Sequence, residues 1–193
     1  MSVNRRKQIV NAAAQSFALF GYKATTMEQV AKIAKVGKGT IYTFFTNKEE
    51  LFDEILQSLI LEMKEIADRE IEVDRPFFES LYCVLDQVLE YRSTHELAMK
   101  LSQELRDFGT PMAREALNRM EHELLSYIER QLQSAMDKGE VKDLDPKITS
   151  FVMFQLYKSL TTEWNKLYDP LDEKTIKELF YHHIFKAINV TQP

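Results

Sequence analysis

The sequence predicts an all-α protein, and three observations support this fold class. The 193 residues include only five Gly and five Pro, so long stretches contain no helix breaker. Apolar residues recur at helical spacing within these stretches. The alternation typical of a half-buried strand does not extend over a strand's length anywhere. We therefore expect about nine helices and no sheet.

Helix starts and ends follow from capping residues and helix breakers. The expected helices begin at residue 4, at Thr25 or Thr26, at Gly37, at Asn47, near Pro76, at Ser93, at Pro111, at Pro146 and near Asp172. The first should end at Gly21 and the longest at Gly139, because glycine adopts the left-handed conformation that closes many helices. The stripe expected to be buried on the first helix consists of Ile9, Ala13, Phe17 and Phe20.

The composition is that of a soluble globular protein, with 45% hydrophobic and 28% charged residues. No apolar run approaches the roughly 20 residues that a membrane span needs. The N-terminal residues lack the apolar core of a signal peptide. A single cysteine, Cys83, excludes an internal disulfide and fits a reducing cytoplasm, where we expect the protein to act.

The net charge of −5 conceals a basic N-terminal end. Residues 1–48 contain eight Lys or Arg and one acid, Glu28, which gives this part +7 and the remainder −12. Because attraction to phosphates is local, such an end can bind a polyanion although the whole chain is acidic. A solvated basic surface is the alternative that charge alone leaves open.

The third expected helix has an apolar inner side and a small, polar outer side. On a helical wheel Phe44 and Phe45 fall within about 60° of Ile41, and these three should anchor the helix. The outer side carries small, hydroxyl and basic groups, a combination that suits a DNA major groove. The residues expected to contact DNA are Lys23, Thr26, Lys38, Gly39, Thr40, Tyr42, Thr43 and Lys48.

Each of these residues has a chemical reason to contact DNA. Gly39 allows the backbone close to the groove, and Thr43 offers a hydroxyl or a methyl group to a base. Lys38 can reach a guanine edge or a phosphate. Thr26 and Lys48 stand at helix starts, where free N–H groups favour an anion. Taken singly, each could equally be a helix cap or an ordinary surface residue.

The same segment resembles TetR-family transcriptional regulators in three runs: TMEQVA at 26–31, VGKGTIYTFF at 36–45 and NKEEL at 47–51. The resemblance covers about residues 5–55. It implies a three-helix helix-turn-helix domain over 1–46 and a ligand-binding and dimerisation domain over 47–193, in which helix 47–70 links the two. It also implies DNA contacts at Thr26, Lys38, Thr40, Tyr42, Thr43 and Lys48.

Two residues depart from the family pattern. Lys35 occupies a turn position where the family usually has Gly, so a residue with a side chain is expected to take the left-handed conformation. Gly37 replaces the usual Ser or Ala at the start of the recognition helix and removes a side-chain phosphate contact.

One recognition helix contacts few base pairs, so proteins of this kind usually bind two half-sites as dimers. Residues 147–168 are apolar on nearly all sides, and 173–189 add a second stripe; both helices could also be internal. We expect a four-helix interface between two copies and a palindromic operator. The expected dimer contacts are Phe151, Val152, Leu156, Ile176, Phe180 and Ile184.

The middle helices are rich in Met and aromatic residues, which line adaptable apolar pockets but more often form plain core. A lipophilic cation, a fatty-acyl compound and another small apolar metabolite all remain open as ligands. The expected ligand contacts are Phe78, Tyr82, Met99, Gln103, Arg106, Met120, Tyr127, Phe154, Tyr157 and Trp164.

These observations predict a ligand-responsive, sequence-specific DNA-binding transcriptional regulator, most simply a repressor that a small apolar ligand releases from its operator. A small-molecule carrier or interaction module that does not bind DNA is the alternative. The sequence contains no HExxH, paired CxxC, nucleophile elbow or phosphate-binding Gly loop, so we expect no enzyme activity, catalytic residue, metal or cofactor.

Overall fold

The computed structural model of the chain describes residues 2–71, 75–94, 109 and 111–190, and helices dominate these ranges. The helices are α1 (Ser2–Ala24), α2 (Met27–Ile33), α3 (Lys38–Tyr42), α4 (Lys48–Glu70), α5 (Phe77–Thr94), α6 (Pro111–Asp137), α7 (Pro146–Lys158), α8 (Glu173–Phe180) and α9 (Lys186–Ile188). The predicted all-α class is confirmed. None of the described helices is long and apolar enough to cross a membrane.

Most helices begin and end where the local sequence predicted. The side chain of Thr26 accepts the N–H of Gln29, whose own side chain accepts the N–H of Thr26, so a complete capping box opens α2. Gly139 follows α6 with a φ of 74°. Ser93 belongs to α5, which includes Thr94, so Ser93 is not the N-cap that the sequence predicted; the rest of the helix predicted from Ser93 lies outside the described residues.

Two π-helical turns interrupt the C-terminal helices. The turn Ser159–Glu163 follows α7 and leads into a 3₁₀ turn, Trp164–Lys166. The turn Tyr181–Phe185 joins α8 to α9. Such turns are rare, and no residue pattern in these segments marks them beforehand.

The chain forms two compact units. The first contains the described residues up to Leu61 together with 111–120, and the second contains Glu62–Thr94 and the described residues from Glu121 onwards. The boundary predicted between residues 46 and 47 does not coincide with this division. The reason is that Leu51 and Phe52 of α4 and Leu117 of α6 are buried in the core of the first unit.

The core of the first unit forms around the predicted stripe of α1, with one correction. Phe17 is buried, but Phe20 is 54% exposed. Gly21 leaves helical geometry with φ 78° and ψ 164°, and this break turns Tyr22 inwards instead. The Tyr22 ring lies 5.4 Å from that of Phe17 and is 4% exposed, so it completes the stripe.

The core of the second unit contains three of the residues predicted to form a dimer face. Ile176, Phe180 and Ile184 are at most 6% exposed and pack within their own chain. Their assignment to an interface was wrong, because the stripe on α8 and the following turn faces the core of its own unit. Phe151 and Val152 on α7 are about half exposed, at 52% and 48%. Leu156 packs against the core and is half-buried.

Candidate DNA-binding surface and ligand cavity

The helix α3 is held from its inner side and open on its outer side. Ile41 and Phe45 are buried at 0% and 1%, as predicted, and the half-buried Phe44 packs against the same core. The predicted DNA contacts that are exposed are Lys23, Thr26, Lys38, Gly39, Tyr42 and Thr43, whereas Thr40 and Lys48 are half-buried. The short helix therefore presents small, hydroxyl and basic groups to the outside.

Gly39 lies in the middle of this exposed side. A Cβ atom built on Gly39 would meet no atom within 4 Å apart from its chain neighbours and the backbone of its own helix. The packing of the fold therefore does not require a glycine at this position. Helix stability does not favour it either, because glycine destabilises a helix by roughly 1 kcal/mol relative to alanine.

The turn before α3 is a tight Schellman closure of α2. The N–H of Val36 donates to the carbonyl of Ala31 at 2.9 Å, and that of Lys35 to Lys32 at 3.2 Å. Lys35 itself has a φ of 54°, so the left-handed conformation expected at this position is confirmed. This closure sets the angle at which the chain enters α3.

An exposed ion pair joins α2 to α3. The ammonium group of Lys38 donates to the carboxylate of Glu28, the single acid among the first 48 residues. This hydrogen bond lowers the pKa of Glu28 and raises that of Lys38. Glu28 therefore places a negative charge beside the exposed side of α3.

Lys48 lies at the start of α4 but is turned towards the protein. Its Nζ donates to the carbonyl oxygens of Tyr22 at 2.7 Å and Thr25 at 3.1 Å. These two acceptors belong to the end of α1 and the turn that follows it. The structure thus gives Lys48 a part in joining α1 to α4, in addition to the phosphate contact that the sequence predicts.

Arg6 is a residue whose position the sequence did not reveal. Its guanidinium makes two 2.9 Å hydrogen bonds to the carboxylate of Glu54 on α4 and a third, at 3.4 Å, to the carbonyl oxygen of Phe44. It also lies 4.5 Å from the centroid of the Phe45 ring. From its charge, Arg6 was counted only among the basic residues of the N-terminal end. These contacts show that it also links Phe44 and Phe45, which lie shortly after α3, to α4.

A separate apolar cavity of about 140 Å³ lies within the second unit. Its walls come from α4, α5, α6, α7, α8 and the following π turn. The lining residues are Met63, Lys64, Ala67, Leu81, Val84, Leu85, Val88, Leu124, Tyr127, Ile128, Met153, Phe154, Tyr157, Phe180 and Phe185. Lys64 is the one charged residue among the described residues of this wall.

The structure brings only some of the predicted ligand contacts to this cavity. Tyr127, Phe154 and Tyr157 line it. Met99, Gln103 and Arg106 lie outside the described residues. The aliphatic residues of α4 and α5 in the wall were missed, because Val, Leu and Ala at helical spacing give the same signal in a cavity wall as in a filled core.

Four predicted contacts lie elsewhere. Phe78 and Tyr82 line a surface groove, and Met120 packs into the core of the first unit. Trp164 is 36% exposed, and its indole N–H donates to the carbonyl of Asp169 at 2.9 Å. These four residues were predicted to contact the ligand because of their residue types. Their positions depend instead on the direction in which each side chain points from its helix, which residue type does not reveal.

Two polar contacts, one helical turn apart, join α4 to α6 beside the cavity. Lys64 Nζ donates to Glu123 at 3.0 Å, and the Tyr127 hydroxyl donates to Asp68 at 2.5 Å. Burial is the main cause that raises the pKa of Tyr127, followed by the hydrogen bond to Asp68. The hydroxyl therefore remains a donor at physiological pH, and its hydrogen bond joins the α6 part of the cavity wall to the α4 part.

The two helices and tight turn of residues 27–42, with the second helix exposed, define a helix-turn-helix DNA-binding protein. Residues 9–55 match the family described as bacterial regulatory proteins, tetR family. YhgD of Bacillus subtilis (strain 168), named as an uncharacterized HTH-type transcriptional regulator, is 47% identical over 98% of this chain and 99% of its own length. The chain belongs to the TetR family of bacterial transcriptional regulators.

Two further comparisons are informative. The fatty acid metabolism regulator protein of Bacillus subtilis (strain 168) is 26% identical to this chain over 81% of each protein. A solved complex of SmeT, a Stenotrophomonas maltophilia repressor, with triclosan has a TM-score of 0.80 at 22% identity, covering 97% of this chain and 93% of that one. At that identity the second comparison shows a common fold.

Proposed function

We propose that the chain is a repressor that binds a palindromic operator as a homodimer and is released by a small, uncharged apolar ligand. The observation that carries the DNA-binding part is Gly39. A glycine that lowers helix stability, with open space around it on a cation-flanked surface, has its explanation outside the protein. A DNA backbone or base edge that approaches closely supplies that explanation.

The cavity supports a ligand with an uncharged apolar body. An engineered apolar cavity of similar volume binds benzene, so 140 Å³ accommodates a group of about that size. Burying a cation against these carbon atoms would cost several kcal/mol, since the described part of the wall offers no carboxylate to pair with it. Among the three ligand classes that the sequence left open, the lipophilic cation is the one disfavoured. The names of two relatives, a fatty acid metabolism regulator and a SmeT–triclosan complex, agree with this choice.

An exposed apolar stripe on α7 supports the homodimer. Ile148, Phe151 and Val152 are 63%, 52% and 48% exposed, and the last two lie about one helical turn after Ile148. A second copy that packs against this stripe would cover these side chains, and a dimer carries the two α3 helices that an inverted repeat requires.

The test begins by letting the protein select the DNA duplexes that it binds from a pool of random sequences. We expect the selected sequences to contain an inverted repeat. Gly39→Ala should then raise the free energy of unfolding by about 0.5–1 kcal/mol and weaken binding to that duplex roughly 10-fold. Ser134→Ala, at an exposed position of α6, is the matched control that should change helix stability alone. A Gly39→Ala protein with undiminished affinity would overturn the assignment of α3 as the groove-reading helix.

Lys38→Gln tests the electrostatic part of the same surface. Its plot of log affinity against log salt should lose about one unit of slope, because one phosphate contact is gone. Lys174→Gln, at an exposed position of α8, should leave the slope unchanged. For the ligand, octanol should release the duplex, whereas octyltrimethylammonium, with the same tail and a positive charge, should not.

A further inference from the structure

One side chain, Phe185, lines both the cavity and a groove on the surface of the same unit. Phe185 lines the 140 Å³ cavity together with Phe180. It also lines a groove of about 440 Å³, whose other walls include Phe78 and Tyr82. Among the described residues that line the cavity or the groove, Phe185 is the one that lines both. Its side chain is 4% exposed.

The neighbours of Phe185 are aromatic on both sides. Its ring centroid lies 6.4 Å from that of Phe78, on the groove side, and 6.3 Å from that of Phe180, on the cavity side. Tilted and edge-on ring pairs at these distances are favourable, and they involve no hydrogen bond. Phe185 is therefore held by apolar contacts, and a change of its rotamer would break no side-chain hydrogen bond.

The backbone beneath this ring is irregular. Phe185 is the last residue of the π turn Tyr181–Phe185, after which α9 resumes. A π turn widens the helix locally and interrupts its regular hydrogen bonds, and such turns are frequent at functional sites.

The two spaces differ in size and in chemistry. Pockets for small ligands usually measure about 300–1,000 Å³. The cavity, at about 140 Å³, is well below this range, whereas the groove, at about 440 Å³, lies within it. The cavity wall is apolar, whereas the groove includes Glu79, Tyr82 and Lys186.

We propose that Phe185 is a movable partition, and that its rotation joins cavity and groove into one site for a single-chain amphiphile. The apolar tail occupies the cavity, and the polar end lies in the groove beside Tyr82 and Lys186. This specifies the ligand of the proposed function and presupposes that the chain binds an apolar ligand. It also gives a role to Phe78 and Tyr82, two predicted ligand contacts that do not reach the cavity itself.

The test uses neutral n-alkanols from hexanol to dodecanol, measured by displacement of the fluorescent probe N-phenyl-1-naphthylamine. In the unmodified protein, affinity should rise roughly fourfold for each methylene that becomes buried, and the rise should continue beyond the length that the cavity alone can hold. Phe185→Ala should improve decanol binding roughly fivefold, because no ring has to move. Phe185→Trp should end the rise at a short chain length. Phe77→Leu, in the same core but lining neither space, should follow the unmodified protein.

Parallel chain-length profiles for the unmodified protein, Phe185→Ala and Phe185→Trp would overturn the partition. The proposed function would survive that result, provided that hexanol or octanol still releases DNA. Conversely, divergent profiles without any release of DNA would support the joined site and overturn ligand-controlled repression. Should Phe185→Ala fail to fold, Phe185→Trp decides the question. Absence of alkanol binding in every folded protein would overturn both.

Discussion

The side-chain nitrogen of Lys48 lies 2.7 Å from the carbonyl oxygen of Tyr22 and 4.2 Å from the centroid of the Tyr22 ring. Lys48 opens α4, and Tyr22 stands directly after the break in α1 at Gly21. The contact therefore fastens two helices of the first unit at the point where one of them bends. A residue expected from the sequence to bind phosphate also has a structural role.

Replacing Lys48 should consequently affect stability as well as DNA binding. Lys48→Met keeps the aliphatic stem but removes the charged donor, and we expect the free energy of unfolding to fall by about 1–3 kcal/mol. Urea titration followed by circular dichroism measures this change. Lys38→Gln, which removes an exposed charge from α3, should leave the unfolding midpoint almost unchanged. Equal stability of Lys48→Met and the unmodified protein would show that the contact with Tyr22 contributes nothing.

Removing the charge of Glu28 should strengthen DNA binding. In the free protein Glu28 pairs with Lys38, and it would also repel nearby phosphates. We expect Glu28→Gln to raise affinity for the selected duplex roughly two- to fivefold at moderate salt. Fluorescence anisotropy at several salt concentrations measures the effect. Glu65→Gln carries the same charge change at an exposed position of α4 in the second unit, and it should have little effect. Weaker binding by Glu28→Gln would indicate that the pair holds Lys38 in its binding position.

The pair Arg6–Glu54 should make stability depend on acidic pH. Hydrogen bonds from Arg6 lower the pKa of Glu54 in the folded protein. The stabilisation is therefore fully present above the unfolded-chain pKa of about 4.3 and is lost as pH falls through the lower folded value. Because both side chains are more than a third exposed, we expect less than about 1 kcal/mol.

Chemical denaturation of the unmodified protein and Glu54→Gln between pH 3 and pH 6 tests this dependence. The difference in unfolding free energy should be largest near pH 6 and should shrink towards pH 3. A difference that stays constant over this range would mean that the carboxylate charge of Glu54 is not responsible.

The features that the sequence predicted correctly are local. The capping box of Thr26 and the glycine after α6 each depend on a few neighbouring residues, and the structure reproduces them. It also reproduces the left-handed Lys35, which the family resemblance implied. The inward direction of Ile41 and Phe45 likewise follows from a single helical wheel. These features account for the geometry of the candidate DNA-binding surface.

The features that the sequence did not predict depend on two elements at once. A period of 3.6 residues shows that a helix has an apolar side, but not whether its own core or a second copy covers that side. Ile176 and Phe180 were misplaced for this reason. The bond between Arg6 and Glu54 and the position of Phe185 between two spaces also required the packed helices.

The hydrogen bond from Tyr127 to Asp68 should restrain the cavity wall. Tyr127→Phe keeps the ring in the wall, and we expect it to lower stability by about 0.5–1.5 kcal/mol. It should also let the wall yield, so that octanol binds roughly 2- to 10-fold more tightly. Tyr91→Phe is the matched control, because the Tyr91 hydroxyl donates to Glu62 of α4 at 2.6 Å and its ring is not part of the cavity wall. A similar change in octanol affinity for both variants would show that the effect is a general loosening of α4.

The stripe on α7 gives the most direct test of assembly. Phe151→Glu places a carboxylate where Phe151 is 52% exposed, so the protomer can fold while an apolar interface would have to bury the charge. We expect dimer dissociation to become at least roughly 100-fold more favourable, and binding to the inverted repeat to weaken accordingly. Leu61→Glu is a control of similar exposure, at 57%, outside this stripe. Sedimentation velocity distinguishes the outcomes: an unmodified protein that remains monomeric, or a Phe151→Glu protein that remains fully dimeric, would rule out this stripe as the dimer face.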